Sequence, residues 1–486
     1  MEAEYEVKPD SACGAAGPNE IRPEDLRRVV SIHYYGRSGS LFLQSLLDGH
    51  SQVVMLPGTY LAGFYRFWEI FGQLPALKLL GAFIINYDVV FDACSPVPLI
   101  HVGPNVGTTL GFDSMGENQD PVLGVDRDEF VEGLLAHVIR AYDNSNVDRL
   151  SRRFFLQAIH LAYAEALGRP IFSKDVLIVL QTRNPYFDEV EPLYRDFGVD
   201  VKFLHCLREP IQALGCWYSH WWEACTSPDP RGAPFQLELA GTSIARGIDH
   251  AKPIFAQYAH HFPHDKRSQD VVAWANGNTR GVRLEDLHQR PRATLEKVRA
   301  WLRIGWHDAL LHSTFDGQPW YHRTTGGQTV KGFQQTTITK KHADIFTPLD
   351  RMRLKLLFAD QCQAWNYPIP RILSWRPLAY LSAILWLLPL RMESSIWRAQ
   401  PWRGPRTLGG ILSSYIVVRL KIFSRWWPDL KRRPPLIRLL DQVPARSSIC
   451  TGRHPMISPL ASAIASISRR REGCPNSLTP TSVSAG

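Results

Sequence analysis

Eight cysteines are spread over 486 residues, at 13, 94, 206, 216, 225, 362, 450 and 474, and none forms a Cys-x-x-Cys pair. No histidine completes a zinc-ligand spacing with them. That excludes a zinc module and a disulfide scaffold, and it predicts a reduced compartment. The N-terminal stretch MEAEYEVKPDSACGAAGPNE has no apolar run, so no signal peptide is read and the expectation is a cytoplasmic chain. Acidic side chains are scarce in one region. From Arg371 onward 18 Lys and Arg face 4 Asp and Glu, a net +14, which leaves −5 for the first 370 residues of a chain at +9. A body of that sign excludes nucleic acid as the partner, because the basic face would have to lie there.

What is present is apolar and α/β-patterned. Apolar residues make up 45% of the chain, enough for one large domain or two. Val29, Val30 and Ile32 form a β-branched run that predicts a buried strand. A glycine turn follows, and then Leu41, Leu43, Leu46 and Leu47 predict a helix stopped by Gly49. From 51 to about 148 the pattern predicts short helices and loops that wall a substrate. SRRFFLQAIHLAYAEALG predicts a helix with Gly168 as its stop. DVLIVLQT and VDVKFLHCL read as strands, each followed by an amphipathic helix, the second with Pro210 in its first turn. RGVRLEDL reads as a further strand before the helix RPRATLEKVRAWLRI, and LDRMRLKLLFADQCQAWNYP as a last helix. Strands alternating with helices predict a mostly parallel sheet with right-handed crossovers.

Two short constellations carry chemistry. In HYYGRSGSLFLQSLLDGH, Gly36 and Gly39 let the backbone approach an anion closely, and Ser38 and Ser40 add hydroxyl donors. Arg37 adds a permanent charge with a planar fork. Such a turn can also cap an ordinary helix. No Gly-Lys-Ser/Thr follows, which disfavours a P-loop kinase-like phosphotransferase. In FLHCLREP, Arg208 stands at the carboxyl end of a predicted strand, where ligands of open α/β sheets gather. It could instead pair with Glu209 or another surface carboxylate. Together the two basic strand ends could hold both phosphate-bearing ends of one nucleotide.

GRSGSLFLQSLLDGHSQV resembles the 5′-phosphosulfate loop of sulfotransferases, in particular bacterial and carbohydrate-type members with Arg-Ser-Gly for Lys-Ser-Gly. VKFLHCLREPIQALGCWYSH resembles their 3′-phosphate strand and helix. TRNPYFDEVEPLYRDFGVDVKF is similar to the stretch where many members carry Lys-Thr-Pro, and RGVRLEDLHQRPRATLEKVRAWLRI to their downstream strand and helix. The four elements follow the family order from about 30 to 310. The resemblance implies a three-layer, P-loop-like fold around a mostly parallel sheet. It implies transfer of a sulfuryl group from 3′-phosphoadenosine 5′-phosphosulfate (PAPS) to a hydroxyl acceptor, with a saccharide as a candidate and with no metal. It places Arg37 at the catalytic position, Gly36, Arg37, Ser38, Gly39, Ser40 and Leu41 in the donor cradle, and Arg208 on the 3′-phosphate.

The chain departs from that pattern at three points. Cys216 stands where the family has a serine eight residues after the arginine; Ser219, one helical step on, is the substitute donor. Arg183 stands where cytosolic members have a histidine, and arginine accepts no proton, so Arg183 is read as an anion-binding residue of the substrate site. The base then falls to His33, Glu69 or His220, none of which a motif selects. TVKGF offers only Lys331 and Gly332 where cytosolic members show Arg-Lys-Gly, and Lys331 is read as a donor ligand. These departures keep open a non-catalytic nucleotide-binding or membrane-peripheral protein of the same fold.

The expected organisation is a flexible lead-in over 1–25, a sulfotransferase-like domain over 26–370, a basic helical extension over 371–442 and a disordered tail over 443–486. LAYLSAILWLLPL is thirteen residues long and too short to span a bilayer. TLGGILSSYIVVRLKIFSRWWPDLKRR mixes apolar and basic residues in a way that suits the surface of an anionic membrane. The same helices could also pack back onto the body. Oligomeric state has no signal in the sequence.

Overall fold

The structure is a computed structural model. It describes residues 21–34, 38–91 (save 59 and 62), 112, 115–119, 124–169 (save 146 and 147), 171, 175–183, 187–227, 231–251, 271–323 (save 272 and 276), 329–339, 342–370, 378, 384–399, 404–432 and 437–442. The tail expected over 443–486, and residues 1–20 of the lead-in, lie outside these. Of the remaining lead-in residues, Ile21 and Pro23 are buried.

Five parallel strands form the central sheet, in the order β2-β3-β1-β4-β5. β1 (Arg28–Tyr34) is the β-branched run; Val29, Val30 and Ile32 are fully buried. It pairs with β3 (Leu177–Arg183) on one side and β4 (Val201–Leu207) on the other. β5 (Thr279–Arg283) completes that side. On the opposite edge lies β2 (Val53–Met55), a three-residue strand inside the stretch read as helices and loops. Three residues are too few to show any period.

The chain leaves β1 through α1 (Ser40–Ser45) toward β2. It leaves β4 through α7 (Pro210–Thr226) toward β5, in the opposite direction. β1 and β4 are neighbours, with His33 opposite His205. Their carboxyl ends therefore flank the topological switch point, the crevice where ligands of open α/β sheets bind. The same directional rule puts α1 on the opposite face from the helices between β2 and β4. Those include α5 (Arg152–Ala166) and α6 (Phe187–Phe197), which touch each other. The expected three-layer, P-loop-like α/β architecture is what results.

Local signals mostly act where they stand. Ser151 caps α5, its hydroxyl accepting from Phe154 N at 3.1 Å, and Gly168 follows it at φ 63°. Between 51 and 148, α2 (Phe64–Phe71), α3 (Ala76–Asn86) and the nineteen-residue α4 (Arg127–Ser145) form. Two boundaries differ from the sequence reading. The strand read in RGVRLEDL stops at Arg283, because its partner β4 ends opposite at Leu207. Leu284–Gln289 continues as helix α9, followed by α10 (Pro291–Leu302). The last helix of the body is two, α12 (Pro348–Leu357) and α13 (Ala359–Ala364), separated at Phe358, which is fully buried.

The extension does pack back onto the body. After α14 (Arg391–Ala399), α15 (Pro405–Arg432) lies along α8 (Ala233–Ala251). Val418 and Ile422 are fully buried there; a Cβ on Gly241 would meet Val418 Cγ2 at 2.4 Å. Arg419 and Glu393 form a buried ion pair, with Nη1 to Oε1 at 2.8 Å and Nη2 to Oε2 at 2.6 Å. All of this belongs to one compact unit ending at Asp441.

Candidate anion-binding site

The glycine loop follows β1. Residues 35–37 lie outside the described residues, and with them Gly36 and Arg37, the candidate catalytic residue. Ser38 and Ser40 are buried and Leu41 half-buried. Gly39 is the N-cap of α1 at φ 92°, ψ 20°. A Cβ at this position would lie 2.6 Å from Leu284 Cδ1, so both conformation and space demand glycine. Glycine offers no capping oxygen, which makes the first-turn amides the donors an anion would use.

Arg208 follows β4 and is 7% exposed. Its Nη2 donates to the Thr337 carbonyl at 3.4 Å. The neighbouring Glu209 turns toward α7, where its Oε2 accepts from Gln212 N at 2.6 Å. Burial pushes the Glu209 carboxyl above its ordinary pKa, the Gln212 amide opposes that, and the charge of Glu285 adds to it. Glu285 accepts from the Glu209 amide at 3.1 Å and from the Tyr367 hydroxyl at 2.8 Å. The end of β5 thus fixes the turn that carries Arg208.

Thr337 belongs to a segment that contacts the elements following β1, β4 and β5. β6 (Tyr321–Arg323) pairs antiparallel with β7 (Thr329–Lys331), Gly332 turns the chain at φ 60°, and α11 (Gln335–Thr339) follows. Phe333 packs edge-on against Phe42 of α1, centroids 5.4 Å apart. Phe42 in turn stacks on His288 of α9 at 4.6 Å. His288 Nδ1 accepts from Gln334 N at 3.1 Å, and its carbonyl accepts from Gln335 Nε2 at 3.3 Å. The segment is therefore tied to the helix after β1, the helix after β5 and the arginine after β4. Phe42, Glu285, His288, Phe333 and Thr337 went unread as site residues, because each acts through a contact distant in sequence.

The remaining candidates are placed as follows. Lys331 is on β7, with its Nζ 3.6 Å from Glu117 Oε1 and 5.1 Å from the Tyr321 ring centroid. The Tyr321 hydroxyl, and then Glu117, push its pKa up. Cys216 is buried on α7. Ser219 Oγ donates to the Gly215 carbonyl at 2.8 Å, so its proton is engaged within its own helix. Arg183 ends β3 opposite Tyr34, at the same sheet edge as the glycine loop; its side chain is outside the description. Of the base candidates, His33 is fully buried and stacked on His205 at 4.5 Å. Burial pushes its pKa down to about 3, which removes it as a base that meets substrate. Glu69 is exposed on α2 and pairs with Arg66 at 2.8 Å. The side chain of His220 is outside the description. Cys206, Cys216, Cys225 and Cys362 are buried free thiols. Among the described residues no group of three or more His, Cys, Asp or Glu is placed to hold a metal ion.

No family model and no curated protein matches the chain. Among solved structures, the chain is similar to the sulfotransferase domain from the Synechococcus PCC 7002 olefin synthase. The identity is 16% and the TM-score 0.34, over 73% of this chain and 98% of that one. It is also similar to the sulfotransferase domain from the curacin biosynthetic pathway, at 12% identity and a TM-score of 0.31, over 71% of this chain and 98% of that one.

Proposed function

We propose that this chain transfers a sulfuryl group from PAPS to a hydroxyl acceptor, with a saccharide as the acceptor class. The observation that supports the reading is that the two strand ends expected to meet anions, those of β1 and β4, flank the switch point. Gly39, after β1, and the buried Arg208, after β4, stand at neighbouring strand ends, and one segment contacts α1 through Phe333 and Arg208 through Thr337. A donor with phosphate groups at both ends of an adenosine fits that arrangement. Arg208 brings a planar, multiply donating cation to its strand end, and the close approach at Gly39 suits a cradle of backbone amides.

Ser38, Gly39, Ser40 and Leu41 would hold the 5′ end through amides and hydroxyls, and Arg208 the 3′-phosphate. Bound PAPS supplies the activated sulfuryl group. The chain's own contribution is positioning and charge. Arg37, by its place in the sequence motif, braces the oxygen that gains charge as the sulfur–oxygen bond to the donor breaks and the bond to the acceptor forms. Arg183, at the adjoining strand end, adds positive charge on the side of the acceptor. Segment 329–339 excludes water from the crevice.

Transfer of radiolabelled sulfur from PAPS to a panel of saccharide hydroxyls tests the reading. Label should appear in an acceptor with the full chain and fall at least about 100-fold with Arg37→Ala. Binding of the spent nucleotide without label in any acceptor would point to the non-catalytic protein of the same fold instead.

A further inference from the structure

α15 buries one side and presents an uncharged, aliphatic other side. Its inner side is fixed to the body by Val418 against Gly241, by Gly410 against Pro234, by the buried Arg419–Glu393 pair, and by Lys421, whose Nζ lies 3.1 Å from Glu238 Oε1. On the outer side Leu408, Leu412, Ile416 and Leu420 repeat every four residues and are between 49% and 64% exposed. A soluble surface helix places charge there. The turn before α14 adds Ile384 and Leu387, 65% and 57% exposed. The Tyr415 hydroxyl bonds to the Leu387 carbonyl, and Arg419 Nη2 donates to the Leu388 carbonyl at 3.1 Å, so this turn is held against α15.

Charge decides what covers such a face. The extension over 371–442 has 13 Lys and Arg and only three acids, Glu393, Asp429 and Asp441. Two of the cations and two of the acids are already paired, Arg419 with Glu393 in the interior, Lys421 with Glu238, and Asp441 with Lys297 at 2.6 Å, which leaves 11 cations against one acid. An exposed apolar strip on a segment whose composition is strongly basic matches a surface that offers hydrocarbon and negative charge together, which is an anionic lipid leaflet. Pro405–Ser424 is long and apolar enough to cross a bilayer by length and composition. Its inner side, however, is committed to α8 and α14 through close glycine contacts and an internal ion pair. A helix so fastened lies along a membrane.

We propose that α15, with the 384–388 turn, is an in-plane seat on an anionic lipid bilayer. Leu408, Leu412, Ile416 and Leu420 enter the boundary between headgroups and acyl chains, while the extension's cations meet the headgroups. The proposal does not depend on the nucleotide reading.

Vesicle flotation of the full chain tests it, with phosphatidylcholine alone and with phosphatidylglycerol added. The chain should float with the anionic vesicles, less so as salt rises, and stay behind with the neutral ones. Leu408→Gln/Leu412→Gln/Ile416→Gln/Leu420→Gln should weaken that binding at least about tenfold with the unfolding midpoint unchanged. Should this variant not fold, Leu408→Gln/Leu420→Gln serves the same comparison with half the substitutions. Four results would overturn the proposal. The folded chain could remain unbound to anionic vesicles at low salt. The folded variants could float as the parent does. The parent could be a dimer that does not float and that the variants split, which would assign the face to a second copy. Retention on the vesicles through an alkaline carbonate wash would also contradict it, since that marks a spanning helix.

Discussion

Arg208 and Thr337 are joined across 129 residues of chain, guanidinium Nη2 to backbone carbonyl at 3.4 Å. The arginine ends the strand beside β1, and the threonine belongs to the segment that also lays Phe333 on α1. Two contacts, Arg208 to Thr337 and Phe333 to Phe42, therefore tie this segment to the residues after β4 and to α1. An anion bound by the guanidinium would compete with the Thr337 carbonyl for this donor.

Removing the cation should weaken nucleotide binding. Charge-assisted hydrogen bonds of this kind contribute about 1.5–3 kcal/mol, so Arg208→Ala should bind 3′-phosphoadenosine 5′-phosphate roughly 10- to 100-fold more weakly. Arg208→Lys keeps a point charge without the fork and should fall between. Equal affinity in all three proteins by calorimetry would place the 3′-phosphate elsewhere.

Gly39→Ala should cost stability as well as binding. At φ 92° an alanine is strained, and its Cβ would press on Leu284 Cδ1 at 2.6 Å. Urea denaturation should show a loss of about 1–3 kcal/mol. Adding Leu284→Ala should not restore the parent's stability, because it relieves the contact and leaves the backbone strain, in addition to removing a buried side chain.

Phe333→Ala separates covering from folding. Phe333 is only half-buried, so the unfolding midpoint should move little. The aromatic contact with Phe42 contributes about 0.5–1.5 kcal/mol, and its loss should weaken nucleotide binding about 3- to 10-fold. An unchanged affinity would mean that the segment closes without this anchor.

Asp316 should make stability depend on pH. Its Oδ2 accepts from the Tyr163 hydroxyl at 2.8 Å, and nearby Asp48 is held by Arg169 at 2.7 Å. Burial, and then the charge of Asp48, raise the Asp316 pKa from 3.8 to about 7. A folded-state pKa above the unfolded one means that the folded state holds the extra proton. The stability it brings is present below about pH 4 and is lost as pH rises to about 7, by at most about 4 kcal/mol. Asp316→Asn keeps an acceptor for Tyr163 and suits φ 52°. It should be more stable than the parent at about pH 8 and gain less at about pH 5. An equal difference at both would locate the titration elsewhere.

The central sheet was legible because its signals are local. The β-branched run at 29–32, Gly39 between strand and helix, Pro210 opening α7 and Gly168 closing α5 each act within a few residues of where they stand. Arg208 could be picked out for the same reason, as a cation directly after a strand. β2 was missed because three residues carry no period, and the strand in RGVRLEDL was overextended because its length is set by β4, a separate part of the chain. The cover was missed for that reason too: Phe333, His288 and Phe42 acquire a role only when α1 and α9 are neighbours. The Ser219 hydroxyl, read as the substitute donor, bonds to the Gly215 carbonyl in its own helix.

The most direct test of a two-ended nucleotide site is a calorimetric titration of the full chain. It compares 3′-phosphoadenosine 5′-phosphate with adenosine 5′-phosphate and with ATP plus Mg²⁺. The doubly phosphorylated nucleotide should bind without metal and at least about tenfold more tightly than either of the others, with Arg208→Ala removing that advantage. Tighter binding of ATP with Mg²⁺, or equal affinity for the two adenosine phosphates, would contradict the account.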